Sequence, residues 1–141
     1  MLSDADRALL GTLPLFATLH ELERTALESA LTFERHGDGT RIIEAGAQPG
    51  RCFFLLEGNI VVSRNNIIVA TLEPPDLIGF IGIADDEPRT ATVDARGEVR
   101  LAALDKAPYE RLIRSQPGFA RAMIRHLART MRALYRRGGV H

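Results

Sequence analysis

The segment from Leu77 to Thr92 contains the residues of this chain that are best suited to bind an anion. Its sequence is LIGFIGIADDEPRTAT, in which Gly79 and Gly82 lie in a short predicted helix between two predicted strands. Glycine lets backbone N–H groups approach an anion closely, and a helix amino terminus carries partial positive charge. Arg89 can fold back to form a bidentate, charge-assisted contact, and Thr90 adds a hydroxyl donor. The residue types therefore predict a phosphate site.

A second interpretation of the same segment needs no ligand. The turn that precedes Arg89 is acidic. The guanidinium can pair with the carboxylate of Asp85, Asp86 or Glu87, which would neutralise it within an ordinary turn. Residue types alone leave both interpretations open.

The bulk properties of the chain fit one domain with a normal hydrophobic core. It has 141 residues, of which 45% are apolar and 26% are charged, and its formal net charge is zero. No apolar run approaches the roughly 18 residues needed to span a membrane, and the amino terminus lacks a secretory pattern. The only cysteine, Cys52, opens an apolar run and is predicted to be buried. These features predict a cytoplasmic protein without disulfides or a transmembrane segment.

Hydrophobic periodicity divides this single predicted domain, residues 1–141, into three parts. Helical spacing, with Ser3 or Asp4 as a cap, gives way to short apolar runs between turn signals, and helical spacing then returns. Asp105 is predicted to cap the first closing helix, and Pro117 suits the first turn of a longer one that Gly138-Gly139 ends. The predicted parts are N-terminal helices in residues 1–30, a β-roll in 31–104 and C-terminal helices in 105–137.

The short runs of the middle part predict strands of a double-stranded antiparallel β-helix, or jelly roll, rather than βαβ units. Asn65-Asn66 predicts a tight hairpin, because asparagine tolerates positive φ. The predicted strands are Arg41–Ile43, Cys52–Leu56, Ile60–Val62, Ile67–Leu72, Thr90–Ala95 and Val99–Leu104.

Charge is distributed unevenly along the chain. All 18 carboxylates lie at or before Glu110, against ten basic residues, so that this part carries −8. From Arg111 onward there are eight arginines and no acid, which gives +8. Four alternatives explain the basic closing helix. Its arginines are solvated, or they contact nucleic-acid phosphates, an anionic membrane surface, or the acidic β-roll within a dimer. This asymmetry predicts a partner or an internal contact.

The closing helix also carries an apolar seam with the spacing of a short coiled coil. We expect this seam to form a homodimer, while Phe119 and Met123 pack on the roll of their own chain. The seam residues are Ala120, Ile124, Leu127, Met131 and Leu134.

The anion-binding segment resembles the phosphate-binding cassette of cyclic-nucleotide-binding domains, which has the form FGE, a variable turn, then PR, Ser/Thr/Ala, Ala, Thr. The runs Leu13–Phe16, Ile42–Gly46 and Phe53–Gly58, and the closing helix that begins at Pro117, are similar to other signatures of the catabolite-activator type. The resemblance implies the β-roll of that family with flanking helices, and a regulatory role. The implied ligand is cyclic AMP, cyclic GMP or a related nucleotide such as a cyclic dinucleotide.

Carried over by position, the resemblance implies a role for each cassette residue. Arg89 would hold the cyclic phosphate, helped by Thr90 and Ala91, and the threonine after the arginine is associated with guanine in several relatives. The base would lie against Leu134 and Tyr135, although the Tyr135 ring is equally consistent with a place in the dimer interface. Backbone N–H groups of the cassette would come from Gly79, Ile81 and Gly82.

One residue departs from the family pattern at a functional position. Phe80 stands where the family has an acidic residue that accepts the ribose 2′-hydroxyl. A phenyl ring accepts no such hydrogen bond, and a buried hydroxyl left unpaired costs about 1–3 kcal/mol. Ile78, Ala47 and Cys52 also differ from the residues that the family usually has at these positions, but these differences are smaller. We therefore expect ordinary cyclic nucleotides to bind weakly.

The sequence predicts neither an enzyme nor a metal centre. The four histidines, His20, His36, His126 and His141, contain no H-x-H pair, and no catalytic triad or carboxylate pair is present. Since no further helices follow the closing one, sequence-specific DNA binding is not expected, and the protein partner is not identified. Two hypotheses remain: a nucleotide sensor that signals through its C-terminal helix, or a ligand-independent dimerising module that has kept the fold.

Overall fold

The computed structural model describes residues 2–138 of the chain. It is a β-roll enclosed by helices, which confirms the predicted fold class. No helix in this part of the chain has both the length and the hydropathy needed to cross a membrane. The helices are α1 (Asp4–Leu10), α2 (Pro14–Ala17), α3 (Glu21–Ala30), α4 (Phe80–Asp85), α5 (Lys106–Ser115) and α6 (Pro117–Gly138), and the strands are β1 (Thr32–His36), β2 (Arg41–Ile43), β3 (Arg51–Arg64), β4 (Ile67–Leu72), β5 (Asp76–Ile78) and β6 (Thr92–Asp105).

Two long antiparallel strands, β3 and β6, form the spine of the roll. Their register runs from Arg51 opposite Asp105 to Ser63 opposite Thr92. The strand order is β1-β6-β3-β4, while β2 pairs with β6 and β5 pairs with β3, all antiparallel. Every short strand is therefore held by one of the two long ones.

The prediction of four short strands in place of β3 and β6 was wrong. Gly58 lies inside β3 with a φ of +83° at a β-bulge, and the strand continues through it. A Cβ at this position would overlap the carbonyl oxygen of Glu98, so only glycine admits the close approach of the neighbouring strand. Glycine here bends the ladder without ending it. The sequence did not predict β1, which is mostly polar, or β5, which has three residues.

Alternation along the long strands produces two apolar clusters. In β3, Cys52, Phe54 and Leu56 pack under the helices, whereas Phe53 and Leu55 point into the roll. Successive side chains of a strand face opposite sides, so a strand buried on both faces has a continuous apolar sequence. The helical cluster includes the edge-to-face pair of Phe16 and Phe54, with ring centroids 5.1 Å apart.

The local signals for turns and caps were mostly correct. Asn65 and Asn66 have φ values of 51° and 64° and join β3 to β4, which confirms the hairpin. The Ser3 hydroxyl accepts from the Asp6 amide at 3.0 Å and caps α1. Asp105 is the N-cap residue of α5, as predicted, but its carboxylate accepts from the Arg51 guanidinium and makes no capping hydrogen bond with the helix.

The start of the closing helix was also predicted correctly. α6 begins at Pro117, which needs no amide donor at this position. Its description ends at Gly138, and Gly139, the second residue of the predicted stop, lies outside the described residues.

Candidate functional site

A tight turn and a short helix position the residues of the cassette, the name we use for residues 79–91. Strand β5 ends at Ile78, which lies opposite Phe53 of β3. Gly79 then adopts a φ of +76°, a left-handed conformation that glycine enters without steric cost, and α4 follows directly. Asp86, with a φ of +59°, ends α4. The cassette is thus fixed at one end by the sheet.

The second half of the cassette is held by the backbone of another turn. The amide of Arg89 donates to the carbonyl oxygen of Ala47 at 2.8 Å, and its own carbonyl oxygen accepts from the Gly46 amide at 2.9 Å. These paired hydrogen bonds set the direction in which the Arg89 side chain leaves the backbone. The segment around Gly46 therefore serves as a support for the arginine.

The Arg89 guanidinium lies against the glycines at the start of the cassette. Nη1 donates to the Gly79 carbonyl oxygen at 2.7 Å, and Nη2 donates to the carbonyl oxygen of Arg51. A Cβ at Gly79 or Gly82 would lie 3.0 or 3.1 Å from Nη1, so a side chain at either position would press on the guanidinium. Two of its five N–H donors are used, and three are left for a ligand.

Among the residues that the structure describes, Arg89 makes no ion pair, so the ligand-free interpretation of the turn is not realised. Asp86 pairs with Lys106, and the Asp85 carboxylate accepts from the Glu87 amide at 3.1 Å. Burial lowers the pKa of Arg89, because the charged form is desolvated and no carboxylate compensates it. A half-buried cation without a counter-ion favours the binding of an anion.

The cassette forms one side of a cavity of about 300 Å³. Apolar side chains from β2, β3, β4 and β6 line its interior, among them Ile43, Val62 and Leu72. Of the predicted ligand-binding residues, all seven in the cassette line this cavity: Gly79, Phe80, Ile81, Gly82, Arg89, Thr90 and Ala91.

The contribution of α6 to the cavity differs in part from the prediction. Leu134 lines the cavity as expected, but Tyr135 is not among its lining residues and is 47% exposed. Thr130, one turn before Leu134, lines the cavity and was missed, although its i−4 spacing from Leu134 could have revealed it. Arg64, at the end of β3 opposite Ile67 of β4, also lines the cavity and was missed.

Phe80, the residue that departs from the family pattern, contacts α6. Its ring meets the His126 imidazole edge to face, with centroids 4.5 Å apart. Burial and then the nearby charge of Arg129 lower the pKa of His126, and its Nε2 atom is buried without a hydrogen-bond partner in the described chain. The neutral imidazole thus packs as a largely apolar ring.

The predicted dimer seam is largely exposed. Ile124 is 66% exposed, and Met131 and Leu134 are each 53% exposed, whereas Ala120 and Leu127 are half-buried. Every described side chain from residue 131 to residue 137 is exposed, including that of Leu134, which also borders the cavity. As predicted, the adjacent face of α6 is buried on the roll through Phe119 and Met123.

Metal and thiol chemistry find no support in the described part of the chain. No three residues among His, Cys, Asp and Glu come together there as a metal site. Cys52 is buried as predicted, and burial raises the pKa of its thiol to about 12. Such a thiol is a small hydrophobic residue rather than a nucleophile.

Curated proteins with similar sequences are regulatory subunits. The chain is 34% identical over 107 residues to a protein of Pyricularia oryzae named cAMP-dependent protein kinase regulatory subunit, covering 74% of this chain and 27% of that protein. It is 35% identical to the protein of the same name from Yarrowia lipolytica, covering 74% and 28%. The chain thus spans about a quarter of the length of these relatives.

Solved structures with the same fold include bacterial regulators. The N-terminal domain of a transcriptional regulator from Streptomyces coelicolor A3(2) matches with a TM-score of 0.76 and 28% identity, covering 94% of this chain and 95% of that one. The catabolite activator protein of Thermus thermophilus matches with a TM-score of 0.79 and 26% identity, covering 86% and 60%. Residues 33–116 match the family model described as cyclic nucleotide-binding domain. The chain therefore belongs to the cyclic nucleotide-binding domain family.

Proposed function

We propose that this domain is a non-catalytic, cytoplasmic sensor that binds a cyclic nucleotide, or a related nucleotide such as a cyclic dinucleotide, in the cavity beside the cassette. The observation that carries the proposal is the half-buried guanidinium of Arg89, which lines an apolar cavity and has no carboxylate partner among residues 2–138. Burying an unpaired cation is costly, and an anionic phosphate compensates that cost.

Each part of the cassette has a defined role in this proposal. Arg89 holds the cyclic phosphate, and Thr90 and Ala91 lie beside it. Amide groups at the start of α4 approach the phosphate because Gly79 and Gly82 carry no side chain. The apolar interior of the cavity accepts the base and the sugar.

The long helix α6 is the proposed output element. It reaches the cavity through Thr130 and Leu134, and it contacts Phe80 of the cassette through His126. A ligand that moves the cassette would therefore act on α6 directly. We further propose that the seam of α6 joins two copies of the chain, and that Tyr135 contributes to this interface or to the base of the ligand.

A second candidate function follows from the Phe80 contact. Because Phe80 replaces the acidic residue of the family and packs on His126, the cassette and α6 are already joined without a ligand. The domain would then be a ligand-independent dimerising module that retains the fold. Arg89 favours the sensor, and Phe80 favours the module.

A thermal-shift comparison tests the proposal. Wild-type protein and Arg89→Ala are heated with cyclic AMP, cyclic GMP or a cyclic dinucleotide. A ligand present at about 100 times its dissociation constant adds about 2.7 kcal/mol to the free energy of unfolding. The proposal predicts stabilisation of the wild type by at least one nucleotide and none of Arg89→Ala. Equal melting curves with every nucleotide would support the module.

A further inference from the structure

One face of α6 carries a row of five arginines that neither the roll nor the seam uses. We call this row the arginine ridge, and all of its side chains are exposed. With 3.6 residues per turn, its spacing of 4, 4, 3 and 4 keeps the row within a sector of about 80°, over about 22 Å of helix. The ridge consists of Arg121, Arg125, Arg129, Arg132 and Arg136.

The ridge has no counter-charge in the described chain. No carboxylate oxygen of residues 2–138 lies within 4.0 Å of any of its guanidinium nitrogens, and α6 contains no acidic residue. Five arginines in other parts of the described chain are paired with carboxylates. They are Arg7, Arg35, Arg41, Arg51 and Arg100.

The ridge is also turned away from the other two faces of the helix. At 100° per residue, the centre of the ridge lies roughly 110° from the face that is buried on the roll, around Phe119, Ala122 and Met123, and roughly 140° from the seam. The ridge therefore stays accessible whether or not the seam is covered by a second copy. Like charges three and four residues apart destabilise a helix, so the row costs stability until an anion neutralises it.

We propose that the arginine ridge binds the phosphate backbone of nucleic acid without reading its sequence. Guanidinium groups form bidentate contacts with phosphates, and all six cationic residues of α6 are arginines, with no lysine. The chain up to Glu110 carries −8. A broad anionic surface such as a membrane would meet that acidic part as well, whereas a narrow polyanion can follow the ridge alone.

Fluorescence anisotropy of the full chain with labelled nucleic acid tests the proposal. Two duplexes of unrelated sequence are titrated between about 50 and 200 mM salt, and both should bind with affinities within about twofold of each other. Because the logarithm of the binding constant falls by about 0.9 per phosphate neutralised in B-DNA, five contacts predict a slope near −4.5 against the logarithm of salt concentration.

Matched double variants distinguish the ridge from general charge. Arg125→Gln with Arg132→Gln removes two ridge arginines, which should lower the affinity at least tenfold and flatten the slope by about two. Arg111→Gln with Arg114→Gln removes two exposed arginines of α5 and should change neither. Circular dichroism checks that each variant keeps its helices, and the nucleotide-induced thermal shift is measured in parallel because none of these arginines lines the cavity.

Three results would overturn the proposal. They are no binding at about 50 mM salt, an equal loss of affinity in the two double variants, and displacement of the duplex by vesicles of phosphatidylcholine and phosphatidylserine more readily than by unlabelled duplex. The last result would assign the ridge to a membrane surface instead. If no nucleotide raises the melting temperature of the wild type or of either double variant while the duplex still binds, that result would contradict only the proposed sensor function.

Discussion

The ring of Phe80 in α4 packs edge-on against the imidazole of His126 in α6, with centroids 4.5 Å apart and planes inclined at 74°. This contact joins the cassette to the long closing helix. An acidic residue in place of Phe80, as the family pattern has, would put a charge against the half-buried imidazole of His126. Phenylalanine in place of the family's acidic residue therefore leaves the cavity without this acceptor and forms a contact between the cassette and α6.

The first prediction concerns pH. Burial lowers the pKa of His126, so the folded protein resists its protonation, while the unfolded chain takes up the proton near pH 6.5. The unfolded state then binds more protons, and the free energy of unfolding falls as the pH drops from about 7 towards 5. Urea denaturation at both pH values should show this loss in the wild type. The loss should be smaller in His126→Leu.

A control histidine makes the pH measurement specific. His20→Asn keeps a residue suited to the helix N-cap and leaves His126 in place, so it should retain the pH dependence of the wild type. The paired acids Asp6 and Glu34 have lowered pKa values, so their effect on stability belongs to more acidic solutions. Identical pH dependence in wild type and His126→Leu would show that the imidazole is not the group responsible.

The second prediction concerns the thiol. Since burial raises the pKa of Cys52 to about 12, the thiolate is a minute fraction at pH 8, and the side chain is 1% exposed. A thiol-specific reagent should label the native protein far more slowly than the urea-unfolded protein. Stoichiometric labelling within minutes in native buffer would contradict the burial of this residue.

The third prediction compares two glycines with positive φ. Gly58→Ala would place a Cβ against the Glu98 carbonyl oxygen, whereas a Cβ at Gly97 would meet no atom within 4 Å. Gly97→Ala should therefore lower the free energy of unfolding only by the strain of a left-handed alanine, about 1–2 kcal/mol. Gly58→Ala should cost at least about 2 kcal/mol more, because the strands must also separate. Equal midpoints of urea denaturation would refute the close approach of β3 and β6.

The fourth prediction concerns the seam of α6. Wild-type protein at tens of micromolar, about the range used for sedimentation velocity, should be a dimer. Ile124→Glu with Met131→Glu should dissociate it, because unpaired charges would be buried in an apolar interface. Leu22→Glu, at an 82% exposed position of α3, is the control and should remain dimeric. A monomeric wild type would remove the dimer from the proposal.

Local sequence signals predicted the turns and every helix except the four-residue α2, because these depend on neighbours along the chain. Helical spacing placed α3, α5 and α6, and Asn65-Asn66 placed its hairpin. The continuity of β3 and β6 could not be predicted in this way. Whether Gly58 ends a strand or forms a bulge depends on the carbonyl group of a residue 40 positions away.

The candidate site divides along the same line. The cassette residues are consecutive, and their motif placed all seven of them at the cavity. The partners of Arg89 are backbone carbonyl groups of Gly79 and Arg51, which no residue type can indicate. The contact of Phe80 with His126 depends on how α6 crosses the cassette. The Tyr135 side chain does not line the cavity of the single chain, and its role stays a prediction.

The central claim is that Arg89 binds a cyclic phosphate while Phe80 denies the ribose its acceptor. Variants at these two positions separate the two effects. Phe80→Glu restores a hydrogen-bond acceptor for the ribose. Phe80→Leu is its control because it removes the aromatic ring without adding an acceptor. Arg89→Ala removes the cation that holds the phosphate.

Isothermal titration calorimetry of these proteins with cyclic AMP and cyclic GMP tests the claim most directly. We expect weak binding by the wild type and by Phe80→Leu. Phe80→Glu should bind about 5- to 150-fold more tightly, which corresponds to about 1–3 kcal/mol for one buried hydroxyl, and Arg89→Ala should give no heat. Nanomolar binding of cyclic AMP by the wild type would contradict the role assigned to Phe80, and no heat with any nucleotide, even for Phe80→Glu, would contradict the sensor function itself.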